Sequence, residues 1–246
     1  MHGDLKILKL WSMVGFKQVS NLRPIAPIQG RNFSSGQGQD ISSSVLTLTS
    51  ISNATFQEWL ETGQSLEPKY HYPSVILLPD DTVIKIWAKK AGLFSSGRWN
   101  PYSSRFVKHA LALRALDIPV PEIIIHGQLE GTHVRLVRYH SIPGKSVRSI
   151  LHSHPEELDI PALAQFYKRL HDRGVNFKGG HLGNIIQIAP GEFGLIDFTS
   201  MRIFPRPLDQ EERLRNLDRP LSYEEDVRAM KEANLPDLLE SYSALS

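Results

Sequence analysis

The sequence predicts an α+β fold: a small, mostly antiparallel sheet carrying one inserted helix, followed by a mainly helical half. Three observations lead there. The apolar runs SVILLP (74–79) and TVIKIW (82–87) have strand character and flank a tight turn at Pro79-Asp80-Asp81. A second pair, PEIIIHGQ (121–128) and THVRLVRYH (132–140), reads as a hairpin around Leu129-Glu130-Gly131. From residue 145 onward, apolar residues recur mostly at helical spacing.

Taken in order, residues 1–45 stand apart, with five Lys/Arg against two acids and the Ser/Gly/Gln-rich stretch RNFSSGQGQDISSS (31–44). They read as disordered or as an extension upstream of the true start, with Met13 a later candidate; no signal peptide is expected. The expected division is an extension over 1–50, a sheet-bearing unit over 51–138 and a helical unit over 139–246. ATFQEWLETG (54–63) predicts a helix capped by Asn53 and stopped by Gly63, with Phe56, Trp59 and Leu60 on one face. SLEPKY (65–70) is a weak strand, ahead of the two stronger ones. SSRFVKHALALRAL (103–116) is a helix with the stripe Phe106, Ala110, Leu113, Leu116, stopped by Ile118-Pro119-Val120-Pro121. KSVRSILHS (145–153) is a short helix. DIPALAQFYKRLHDRG (159–174) is a clearer one, with Pro161 in its first turn and Gly174 at its end. NIIQIAPGEFGLIDF (184–198) predicts two strands around Ala189-Pro190-Gly191-Glu192. LDQEERLRNL (208–217) and SYEEDVRAMKEANL (222–235) predict charged, solvent-facing helices.

Composition narrows the chemistry. The chain lacks cysteine, which excludes disulfides and thiolate catalysis. No apolar run approaches the roughly 20 residues of a membrane-spanning helix, so a cytoplasmic protein is expected, at most peripheral to the inner membrane. Net charge is only +2, but residues 85–148 hold 11 Lys/Arg against 3 Asp/Glu, and residues 156–246 hold 11 against 16. That asymmetry suits either a cleft with one wall for polyanions and one for a divalent metal, or two solvated faces. The basic helix around Arg105 and Lys108 has too few interleaved aromatics to predict nucleic-acid binding. The ten histidines show no close pair facing one way, and no Ser-His-Asp spacing is present.

Asn184 and Asp197 lie thirteen residues apart, one before and one after a two-strand unit. A hairpin brings such edges together, so an amide oxygen and a carboxylate converge on one cation, the hard-oxygen set that suits Mg²⁺. Alone, either residue is an ordinary turn former. Lys85 shares a strand face with Val83 and Trp87. It either snorkels at a sheet edge or reaches into a cleft to pair with phosphate. The loop GVNFKGGHLGNII (174–186) has the rhythm of a phosphotransferase catalytic loop, in which an Asp base stands five residues before the metal-holding Asn. Five residues before Asn184 stands Gly179. His181 is the nearest titratable substitute, or else a loop histidine bonded to backbone; Lys178 suits a phosphate contact. Gly179-Gly180 also permits a backbone nest for an anion.

The stretches VIKIW (83–87), RFVKHALALRALDIPVPEII (105–124), VRYHSIPGKSVRSIL (137–151), LHDRGVNFKGGHLGNII (170–186) and GLIDFTSMRIFPRPL (194–208) resemble the protein-kinase-like fold. More closely they resemble the bacterial lipopolysaccharide kinases of the Kdo/WaaP type, and within these the toluene-tolerance branch. The resemblance covers roughly residues 54–235. It implies two lobes, an antiparallel N-lobe with one helix and a mainly helical C-lobe, and binding of ATP and Mg²⁺. Lys85 would contact the α/β-phosphates, and the segment containing Arg138 and Tyr139 would lie beside the adenine. His181 would stand where a Lys touches the transferred phosphate, and Asn184 and Asp197 would hold metal. The implied acceptor is a sugar hydroxyl of lipopolysaccharide core or another anionic glycolipid. The chain departs from the pattern at four places. KYHYPS (69–74) carries no glycine loop, His109 occupies the place of a helix carboxylate, Thr199 that of a glycine, and Gly179 that of the base. Losing a base typically costs about 10²–10⁴-fold. Three classes therefore stay open: phosphotransferase, nucleotide-binding pseudokinase acting in envelope assembly, and binding protein that needs no nucleotide.

Overall fold

In the computed structural model the described residues are 47–66, 72–88 and 101–245. Of the extension expected over 1–50, residues 1–46 lie outside them, as does most of SLEPKY, whereas Thr49 and Ser50 already belong to the first strand.

The chain opens with β1 (Thr49–Ile51), α1 (Asn53–Thr62), β2 (Gln64–Ser65), β3 (Val75–Leu77) and β4 (Thr82–Trp87). Helix α2 (Tyr102–Ala115) and the hairpin β5 (Glu122–Leu129) and β6 (Arg135–His140) follow. Six strands form one mixed sheet in the order β1-β5-β6-β4-β3-β2. Only β1, lying parallel to β5, departs from antiparallel pairing. The register explains its two faces. Ile84 pairs with Arg138 and Ile86 with Leu136, while Val83 pairs with Tyr139 and Lys85 with Val137. Directly paired residues share a face, so Ile84, Ile86 and Leu136 meet Phe56 and Trp59 of α1 in one core cluster. On the opposite face, Phe106 of α2 packs against Trp87 and Tyr139.

The second half runs β7 (Lys145–Ser146), α3 (Val147–Ser153), a 3₁₀ turn (Pro155–Glu157), α4 (Ile160–Asp172), β8 (Val175–Phe177), β9 (Ile185–Ala189) and β10 (Glu192–Leu195). It closes with β11 (Met201–Ile203), α5 (Gln210–Leu221), α6 (Glu224–Glu232) and α7 (Leu238–Ser243). Strands β10, β9 and β7 form a small antiparallel sheet, and β11 pairs with β8. One core cluster joins α2 and Val137 to α3, α4 and the strands after them. The α+β class is thus observed, with a mixed rather than wholly antiparallel main sheet.

The remaining differences from expectation have local causes. Ser52, not Asn53, caps α1: its side chain accepts the Thr55 N–H. Helix α2 ends one turn before Pro119 because Asp117 adopts a left-handed conformation (φ 52°). Ile118 N–H then reaches Leu113 O and Asp117 N–H reaches Arg114 O, the two bonds of a Schellman cap. Helices α5 and α6 are not merely solvent-facing, since Asn216, Leu217, Pro220, Asp226 and Met230 are buried. The 138/139 division falls inside β6.

Candidate functional site

Lys85 and Asp197 meet. Lys85 Nζ donates to Asp197 Oδ1 at 2.5 Å, across 112 residues of chain. Strand β4 aims Lys85 away from the α1 side of the sheet, and its ammonium lies 5.8 Å from the Trp87 ring and 5.9 Å from the Phe106 ring. Its side chain is 19% exposed and that of Asp197 is 47% exposed, so the pair sits at an opening rather than in the core. Asp197 follows β10 in a left-handed conformation (φ 49°), which few residue types other than Gly, Asn and Asp tolerate. The next residue anchors it. Phe198 stacks on Phe106 with centroids 4.5 Å apart, and its carbonyl accepts a hydrogen bond from His109 Nδ1 at 2.8 Å. Burial, with help from Arg105, holds the His109 pKa below its ordinary value against the opposing hydrogen bond to Phe198. The helix position where a carboxylate was expected therefore carries a neutral imidazole that tethers the Asp197 segment, and Asp197 itself supplies the acid facing Lys85.

Asn184 comes to the same place from the loop after β8. Its side-chain amide Nδ2 donates to Gly179 O at 2.9 Å, and its backbone carbonyl accepts from Ile196 N at 3.0 Å, next to Asp197. A Cβ placed on Gly179 would lie 3.2 Å from Phe177 Cε2, 3.6 Å from Asn184 Nδ2 and 3.7 Å from the backbone oxygen of Asp197. Both residues thus border the spot a base would occupy. With Nδ2 engaged, Asn184 Oδ1 is the free end of the amide, and Oδ2 of Asp197 takes no hydrogen bond from the described residues. One amide oxygen and one carboxylate suit a hard cation that keeps phosphate and water in its remaining positions, as Mg²⁺ does. Among the described residues no group of three His, Asp or Glu side chains could enclose a metal without such help.

The loop itself is tightly specified. Gly180 N–H donates to Phe177 O and His181 N–H to Gly179 O, while Tyr167, fully buried, donates to Gly180 O at 2.8 Å. The Gly180 amide is therefore used inside the turn, which removes it from the anion nest considered from sequence. His181 Nδ1 accepts the Gly183 N–H at 3.2 Å, and its ring meets Tyr223 edge-on at 5.4 Å. Burial first, then Arg148, lowers its pKa, with Asp197 and Asp226 opposing. The neutral ring then carries its proton on Nε2. Lys178 is exposed, and its carbonyl takes a hydrogen bond from Arg219 Nε at 3.0 Å.

Arg138 and Tyr139 part company. Tyr139 lies on the Lys85 face against Phe106. Arg138 points to the other face, over the Trp59 ring, where it pairs with Asp80 and donates to Thr82 Oγ1. A surface depression of about 370 Å³ at the β5–β6 turn, lined by Gln128, Thr132, His133 and Arg135, contains none of these residues.

Sequence reasoning missed the group behind His181. Asp226, with a side chain 1% exposed, receives both Nε and Nη2 of Arg148 at 2.6–3.0 Å, and His152 Nε2 lies 3.1 Å from it. Arg148 also stacks on Tyr223 at 4.2 Å. Asp226 sits in the run Glu224-Glu225-Asp226, which reads as a solvated face, and no spacing links it to Arg148.

No protein-family model matches the chain, and no curated protein is significantly similar to it. No helix among the described residues is long and apolar enough to cross a membrane.

Proposed function

We propose that the protein is a kinase-like phosphotransferase, with a two-lobed arrangement around the Lys85–Asp197 opening, that uses ATP as phosphoryl donor together with Mg²⁺. The observation that carries this reading is the convergence of Lys85, Asn184 and Asp197 from three separate segments. Lys85 would neutralise the donor phosphates, and Asn184 and Asp197 would hold the metal, which supplies charge neutralisation when bound. Phosphoryl transfer has a loose transition state, so positioned charge contributes most of the catalysis and a site without a base retains function. The acceptor class follows the resemblance alone: a lipopolysaccharide core sugar or a related envelope component, handled from the cytoplasmic side.

A second reading is favoured by one specific observation. Gly179 brings no side chain to the spot beside Asn184 and Asp197, which suits a pseudokinase that binds nucleotide and scaffolds or regulates envelope assembly. Thermal shifts with Mg²⁺-ATP for wild type and Asp197→Asn, with ATP turnover measured alongside, separate the readings. The phosphotransferase gives a shift and turnover, both lost in the variant. A shift lost in the variant without any turnover favours the pseudokinase. No shift in either protein removes both.

A further inference from the structure

We infer that the acceptor nucleophile is an oxygen already ionised at neutral pH, a carboxylate or phosphate on the acceptor, and not a hydroxyl. The inference rests on the phosphotransferase reading and deepens it. A hydroxyl acceptor has to lose a proton, and a positioned base typically contributes about 10²–10⁴-fold to that. At the place for such a base, bordered by Asn184 and Asp197, stands Gly179. The neighbouring polar groups do not replace it. His181 has its Nδ1 lone pair on the Gly183 N–H, and its other nitrogen is a donor in the neutral ring. Asp197 gives Oδ1 to Lys85, and its remaining oxygen, Oδ2, is the one assigned to the metal; Asp226 is held by Arg148 and His152.

What the loop offers is positive charge. Lys178 is exposed, and Arg219 donates to its carbonyl; among the described residues neither cation is in an ion pair with a carboxylate. With Lys178 on the loop and Arg219 on α5 supplying cations, and no carboxylate or imidazole left uncommitted as a base, the site selects for an anion. The transfer then balances without a base. An oxygen of the acceptor anion forms a bond to the γ-phosphorus. The bond from that phosphorus to the β–γ bridging oxygen breaks, and the bridging oxygen leaves with the electron pair as part of ADP. No proton moves, and the product is an acyl phosphate or a phosphoanhydride.

The test uses the full chain with Mg²⁺-ATP and three related acceptors: glucuronic acid, glucose 6-phosphate and glucose. Phosphorus NMR reads the products, and hydroxylamine trapping identifies an acyl phosphate. Transfer to glucuronate marks the carboxylate, and transfer to the 6-phosphate group marks the phosphate. Either is expected at a rate at least tenfold above transfer to any hydroxyl. Binding of the preferred anion with Mg²⁺-ADP present, followed by NMR line broadening, is expected to weaken about tenfold in Lys178→Ala or Arg219→Gln. Phosphorylation of hydroxyls on all three acceptors at comparable rates overturns the inference while leaving the phosphotransferase reading in place. Nucleotide bound with no transfer to any acceptor overturns it in favour of the pseudokinase. An absent nucleotide shift removes the inference and the reading together.

Discussion

At the scale of single residues, a metal ion bound as proposed would compete with Lys85 for the same carboxylate. Lys85 Nζ occupies Asp197 Oδ1, and half-exposed pairs of this kind contribute about 0–1 kcal/mol. Replacing Lys85 by Met removes a competing cation without adding a donor. Mn²⁺ alone, used as a paramagnetic stand-in and followed by water relaxation, is therefore expected to bind Lys85→Met up to about fivefold more tightly than wild type. The same variant is expected to bind Mg²⁺-ATP more weakly, because the phosphates lose their cation. Equal losses of metal alone and of nucleotide in the variant would contradict this arrangement. Lys85, Asn184 and Asp197 stood out as candidates in the sequence because each is a polar residue set against apolar strands. Arg148 and Asp226 were not, because a buried acid inside a charged helix has the same local pattern as an exposed one. Only the fold, which brings α3 against α6, distinguishes them.

At the scale of elements, most strands and helices followed from period and punctuation. The exceptions were short. Strands β8 and β11 have three residues each, too few to show alternation, and they exist because they pair with each other. The end of α2 carries a testable backbone argument. Asp117 holds a φ of 52° at the left-handed position of the cap, where glycine is free of the Cβ penalty. Its only ion-pair contact among the described residues is with Arg173 at 4.0 Å, at a site 90% exposed. Asp117→Gly is expected to be neutral or to stabilise by up to about 1 kcal/mol, since relief of strain is offset in part by the entropy of the unfolded glycine. A urea midpoint that falls substantially in the variant would show that the aspartate does more than cap. The tether from the same helix behaves oppositely. His109→Ala leaves the Phe198 carbonyl without its donor, and is expected to destabilise by about 1–3 kcal/mol and to weaken Mg²⁺-ATP binding through the Asp197 segment. Stability lost with nucleotide binding intact would reduce His109 to a packing residue.

At the scale of the whole molecule, acid sensitivity follows from one buried imidazole. His171 lies at the end of α4, fully buried, with Nδ1 2.8 Å from the Tyr242 hydroxyl of α7 and Nε2 3.0 Å from Asn216 Oδ1 of α5. Asn216 in turn donates to Phe177 O, so one ring joins three helices and β8. Asn216 Oδ1 only accepts, which puts the ring proton on Nε2, and Nδ1 accepts from Tyr242. Burial lowers the His171 pKa from 6.5 to about 4, against the partly compensating hydrogen bond to Asn216. Between those values the unfolded chain binds a proton that the folded chain refuses. Stability is therefore fully present above pH 6.5 and falls as pH drops toward 4, by up to about 1.4 kcal/mol per unit. His109 and His181, lowered for the same reason, add to the trend. The paired carboxylates act further down. Asp80 and Asp172 are held below their usual range and Glu212 sits at about 2, so their share is lost at lower pH. Urea midpoints at pH 7.5 and pH 5 then report mainly on the histidines, and wild type is expected to be clearly weaker at pH 5. In Tyr242→Phe, Nδ1 loses its donor, and the stability at pH 7.5 read from the urea transition should fall by about 1–3 kcal/mol. Because the lone pair freed there is open to protonation, the further loss on acidification should shrink. A wild-type midpoint unchanged between the two pH values would mean that the three-helix junction is held by something other than a neutral His171.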